Sequence, residues 1–171
     1  MKWTKRFAVI LAAVCCLCGC TKSNIISPEA PSDVVPVGED GIVWSQLWDD
    51  FQDKYDDSDA YPFVESVSAS FFEDENTVKF FILTNEEVSG EEVAAFATDV
   101  VKGLNDLIAD QNPDYALSSD ESYGGYLSQY DIYVMASEDS QKADKANWIL
   151  EDTIPAGEYR PVDPNAVPSA E

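Results

Sequence analysis

The chain has 171 residues, with 33 Asp and Glu against 10 Lys and Arg, and it contains no histidine. So acidic a surface is repelled by nucleic-acid phosphates and by anionic headgroups. The missing histidine removes Ser-His-Asp and Cys-His catalysis and the usual His-containing zinc sites, and no phosphate loop or dinucleotide fingerprint occurs.

The first 20 residues carry the one motif with a specific chemical meaning. Lys2, Lys5 and Arg6 lead an apolar run, Phe7 to Leu17, that is short for a bilayer span and right for a secretory signal. It ends in Leu17-Cys18-Gly19-Cys20, with Leu three places before the cysteine and Gly directly before it. These four residues resemble a bacterial lipobox. The resemblance implies a diacylglycerol on the Cys20 thiol and cleavage just before it, leaving residues 1–19 as the signal. It further implies a cell-membrane lipoprotein on the extracytoplasmic face, its partner there being the membrane itself, held through the lipid. All four cysteines lie at or before that cut. The mature chain would then have no disulfide and would rely on its core alone. Its side chains would carry 33 acidic against seven basic groups, about −26.

Residues 20–41 read as the lipidated cysteine and a flexible tether, since Pro28, Pro31 and Pro36 interrupt any period. Fully stretched, about 20 residues reach roughly 70 Å. A single α+β domain is expected over 42–159. Ile42 to Tyr55 reads as a helix, with Trp44, Leu47, Trp48, Phe51 and Tyr55 on one face and Asp49, Asp50 and Asp53 on the other. The acidic stretch Asp56-Asp57-Ser58-Asp59 follows. Asp57 and Asp59 have the first spacing of a calcium loop, but the pattern then fails, so a solvated loop is expected and no metal site.

Phe63–Glu73 and Thr77–Asn85 read as strands joined by the turn Asp74-Glu75-Asn76. The clearest helix begins at Ser89, where Ser89 and Glu92 suggest a capping box. Val93, Phe96, Ala97, Val100, Val101, Leu104, Leu107 and Ile108 form its apolar stripe, and Pro113 stops it. Gly103 lies off that stripe, at a cost of about 1 kcal/mol relative to Ala. Tyr115–Ser119 and Tyr126–Ala136 read as a second hairpin around Ser122-Tyr123-Gly124-Gly125. Residues 140–152 are ambiguous: the polar first half reads as a short helix, and Trp148, Ile149 and Leu150 read as the anchor of either a helix end or an added strand. The tail 160–171, with Pro161, Pro164 and Pro168, is expected to be disordered.

The resulting order is αββαββ, which suits a four-stranded antiparallel sheet with two helices packed on one face. Five tyrosines, Tyr115, Tyr123, Tyr126, Tyr130 and Tyr133, crowd the second hairpin. Tyr126 and Tyr130 would share a strand face and Tyr123 would sit exposed in the turn. Tyr123, Tyr126 and Tyr130 are therefore the expected contact surface for an envelope protein or a glycan. With no catalytic residue or cofactor motif in view, a non-enzymatic binding or interaction module is the leading expectation. The competing one is a small extracytoplasmic hydrolase using carboxylates alone.

Overall fold

The computed structural model describes residues 36–56 and 59–168. The sequence motif at Cys20 and the acidic residue Asp57 lie outside them. Helix α1 spans Trp44–Tyr55, strands β1 and β2 span Val64–Phe72 and Thr77–Thr84, and helix α2 spans Gly90–Gln111. Strands β3 and β4 follow at Asp131–Glu138 and Leu150–Ile154. Two helices and a four-stranded mixed sheet make this an α+β architecture, with strand order β1-β2-β3-β4.

The β1–β2 hairpin turns through a short 3-10 segment, Glu73–Glu75, and closes on Asn76 at φ 50°. Asparagine tolerates that left-handed conformation better than most residues. Helix α2 starts where the capping pattern places it. The Ser89 hydroxyl oxygen accepts the Glu92 amide at 3.2 Å and donates to the Glu92 carboxylate at 2.9 Å.

The expected all-antiparallel sheet is not what forms. β1–β2 and β3–β4 are antiparallel, but β2 and β3 run parallel, in register from Thr77↔Asp131 to Thr84↔Glu138. Tyr115–Ser119 is not a strand, and β3 begins only at Asp131. α2 therefore leads into a single strand beside β2, and it carries the chain back to the end of the sheet where β2 starts, so β3 runs parallel to β2. The second hairpin is β3–β4, so the ambiguous 140–152 stretch ends in the fourth strand.

One face of the sheet is apolar in matched rows. Val67, Ile82, Ala136 and Leu150 form one row, and Val78, Ile132 and Ile154 form another. With Phe80 and Val134 they join Leu47, Phe51 and Tyr55 of α1 and the α2 stripe in one core. Leu107 is only half-buried. Both helices thus pack on this face, as expected. Gly103 has a structural reason: a Cβ there would collide with the Tyr55 hydroxyl, which donates to the Asp99 carbonyl at 2.9 Å. The glycine is the recess that lets α1 seat against α2.

The segment 115–130 is irregular because α2 holds it. Asn105 is fully buried, and its side chain donates to the Ala116 carbonyl at 3.0 Å. Its oxygen accepts the Tyr126 and Leu127 amides at 3.1 and 3.3 Å. Gly124, at φ 91°, lies so close that a Cβ would collide with the Asn105 amide.

The tail is ordered along its described length, against the expectation of disorder from residue 160. Arg160 binds the carboxylate of Asp152 with both terminal nitrogens, at 2.5 and 2.7 Å. The Val162 amide donates to the Thr98 hydroxyl at 3.0 Å, the Val162 side chain is buried, and the Glu151 amide donates to the Ala166 carbonyl at 2.8 Å. Chain order likewise starts before residue 42. Gly38 and Ile42 share a backbone bond at 2.8 Å, and Asn112 donates to the Asp40 carbonyl at 2.7 Å.

Candidate functional site

The three tyrosines expected to form one contact surface separate. Tyr123 is 1 % exposed. Its ring centroid lies 5.0 Å from that of Tyr159, and its hydroxyl donates to the Arg160 carbonyl at 2.8 Å. Burial pushes its pKa up to about 12. The expected exposed anchor is a core residue, because docking of Gly124 onto Asn105 turns the loop inward. Tyr126 and Tyr130 do not share a strand face either, since the short turn Leu127–Gln129 separates them. Their rings nonetheless meet, 5.6 Å apart, with Tyr126 buried and Tyr130 half-buried.

Tyr126 and Tyr130 back a larger aromatic bank. Phe71 of β1 lies 5.8 Å from Tyr126 and 5.3 Å from Tyr130. Trp44 of α1 lies 5.4 Å from Phe71 and 6.2 Å from Tyr126, and Trp48 lies 6.1 Å from Trp44. Burial, followed by the hydrogen bond with Tyr130, raises the Tyr126 pKa.

The bank opens into a groove because β1 is the edge of the sheet. Trp44, Trp48 and Gln52 are successive turns on one side of α1, and that side runs beside β1. Trp44, Trp48, Ala69, Ser70, Phe71 and Glu73 line a space of about 390 Å³. Gln52 reaches the same edge, donating to the Val67 carbonyl at 3.1 Å. Both tryptophans are half-buried, where a wholly covered helix face would have hidden them. Edge-to-face and tilted rings of this kind present apolar area at little cost in side-chain freedom.

The other face of the sheet is open too, with a depression of about 460 Å³ lined by Glu75, Thr77, Lys79, Phe81, Asp131, Tyr133 and Thr153. Its polar groups answer one another. Lys79 pairs with Glu75 at 2.6 Å and sits over the Phe72 ring at 4.2 Å. Tyr133 donates to Glu151 at 2.7 Å, and Lys145 reaches the same carboxylate at 2.9 Å. Burial and then the Glu151 contact raise the Tyr133 pKa. The Asp131 carboxylate accepts the Ala156 amide at 2.8 Å. These bonds make the depression a braced surface with few free polar groups.

The chain matches no protein-family model, no curated protein and no solved structure. Among the described residues, no three His, Cys, Asp or Glu side chains converge as metal ligands would. The sequence places Trp44 and Trp48 on the apolar face of α1 and Phe71 in a strand, and the three are not expected there as groove residues. The available signal was the pair of indoles four residues apart, beside a strand whose other face is Ser66, Ser68 and Ser70.

Proposed function

We propose that the protein is a bacterial lipoprotein, anchored at the extracytoplasmic face of the cell membrane by a diacylglyceryl group on Cys20, whose folded domain is a non-enzymatic binding module. The groove between α1 and the edge of β1 is its contact surface. The observation that carries this reading is the half-buried pair Trp44 and Trp48, aligned with Phe71 along an open strand edge. Large rings left part-exposed and close together are the residues that dominate contact energies when a partner covers them. The tether then serves to hold an acidic domain clear of headgroups that would repel it.

The carboxylate-hydrolase reading has less behind it. Glu75 and Asp131, the carboxylates lining the open-face depression, are engaged by Lys79 and by the Ala156 amide. Glycoside hydrolysis needs two carboxylates flanking the scissile bond, about 5 Å apart for retention or wider for inversion, whereas each of these two is committed to its own neighbour.

Two measurements test the proposal. Cys20→Ala should abolish incorporation of labelled lipid and release the protein from membranes; retained label would remove the anchor from the reading. A photoactivatable residue at Ser70, on the groove rim, should give a discrete cross-linked adduct on intact cells. The same residue at exposed Glu158 should give none. No adduct from Ser70, or identical adducts from both sites, would count against a binding groove.

A further inference from the structure

We propose that the free edge of β1 takes a partner's extended segment by strand addition, and that this segment is uncharged through its middle and basic at its ends. The proposal rests on the binding-module reading and names the occupant of its groove.

The Val67 carbonyl points away from β2, since it accepts Gln52 Nε2 of α1 at 3.1 Å. In an antiparallel pair, alternate residues direct both their N–H and C=O groups to the same side. Ala69 and Phe71 are two and four residues further along the same uninterrupted register, so their backbone groups also face the free edge. Among the described residues, no hydrogen bond reaches those groups from another element. Gln52 thus occupies the place that an added strand's amide would take.

Edge strands are normally blunted by Lys, Pro, bulges or a covering segment. From Val67 to Phe72 there is no Lys, Pro or charge of any kind, and the register irregularity lies at Val64/Ser66, before this stretch. An added strand would direct alternate side chains toward Trp44 and Trp48, and the others beside Ser68 and Ser70.

Charge selects the partner. Glu65 stands at one end of the neutral stretch, and Glu73, Asp74 and Glu75 at the other. Asp49 and Asp53 are exposed on the adjoining helix. With about −26 on the mature side chains, a second copy is repelled, whereas Lys or Arg at the two ends of an incoming strand is attracted.

The test uses detergent-solubilised full-length protein and a fluorescein-labelled peptide, Lys-Lys-Thr-Val-Thr-Val-Thr-Lys-Lys. Anisotropy should show saturable binding. A peptide N-methylated at alternate residues keeps the side chains but loses the amides of one edge. It should bind about tenfold or more weakly, the loss expected for a hydrogen bond or more. A Glu-flanked version should not bind. Ala69→Pro removes an amide that the sheet does not use and should cause the same loss with the melting temperature little changed. If Ala69→Pro fails to fold, the N-methylated peptide decides alone, and equal binding by it overturns strand addition. A dimer in sedimentation that Ala69→Pro abolishes would make the occupant a second copy and overturn the partner assignment. Binding of chitohexaose but not of the peptide, lost in Trp48→Ala, would overturn strand addition while leaving the binding module standing. No binding of any probe, with no adduct from Ser70 on cells, would sink both.

Discussion

The two edges of the sheet are finished in opposite ways. At β4 the chain folds back on itself: Arg160 clamps Asp152, the Glu151 amide pairs with the Ala166 carbonyl, and the Arg160 guanidinium also donates to the Thr153 carbonyl at 3.0 Å. At β1 one glutamine side chain meets the Val67 carbonyl, and among the described residues the outward backbone groups of Ala69 and Phe71 are left bare beside two tryptophans. An exposed edge is a liability that proteins ordinarily remove. A chain that covers one edge with its own tail, yet leaves Val67–Phe72 of the other uncharged and, among the described residues, unobstructed, treats the two as different kinds of surface.

The closed edge should yield the largest effects. Tyr123 lies beneath the tail and fills core, so Tyr123→Ala should cost about 3–5 kcal/mol, as truncation of a buried aromatic does. Denaturant unfolding measures this directly, and a change of under about 0.5 kcal/mol, as surface substitutions give, would contradict the burial. At the open edge, α1 is positioned by Tyr55 above Gly103. Gly103→Ala overpacks that contact and should cost about 1–3 kcal/mol. It should also alter the near-ultraviolet circular dichroism of the Trp44–Trp48 pair, and an unchanged spectrum would show that the contact does not position the groove.

Arg160→Gln should cost about 1–2 kcal/mol, between a surface and a buried ion pair, because Arg160 remains 40 % exposed. Burial alone would raise the Asp152 pKa, but the bond to Arg160 and the Asp163 amide outweigh it and leave the carboxyl below its usual value. A lowered folded value contributes stability in full above the unfolded pKa of about 4, and loses it as pH falls through the folded value. The difference in melting temperature between wild type and Arg160→Gln should therefore be constant near neutrality and shrink below about pH 4. A difference that grows on acidification would refute the assignment. Gln52→Ala should have the smallest effect, about 1 kcal/mol for one part-buried hydrogen bond. Tail amides such as Glu151 should keep their protection from hydrogen exchange in that variant, since the two edges are independent.

Most helices and strands were readable because side-chain period reports which face is covered. The Trp44-to-Tyr55 stripe, the Ser89 cap and the Val78-Phe80-Ile82 alternation all name their elements. Period says nothing about the direction of a neighbour, so the parallel β2–β3 pairing was hidden until the loop between α2 and β3 was seen to hold no strand. That loop turned on one residue. Asn105, four places after Val101 and three before Ile108, is a polar group on the buried side of a helix, and a buried amide must find partners. Reading it as a dock for Gly124 would have drawn Tyr123 inward and removed it from the list of contact residues. Trp44 and Trp48 were legible as apolar but not as half-exposed, because that depends on α1 lying at the border of the sheet. The ordered tail escaped notice for a similar reason: its prolines suggest disorder, while Arg160 and Val162 have partners far away in sequence.

The parallel seam between β2 and β3 divides the sheet into two hairpins of short loop span, while the seam itself joins residues as distant as Thr77 and Asp131. Closing so long a loop costs more chain entropy than either hairpin, and distant pairings form slowly. Each hairpin pairs residues close in sequence, whereas the seam pairs residues that the whole of α2 separates. Folding rate should accordingly respond to changes at the Phe80–Val134 contact across the seam far more than to changes within either turn.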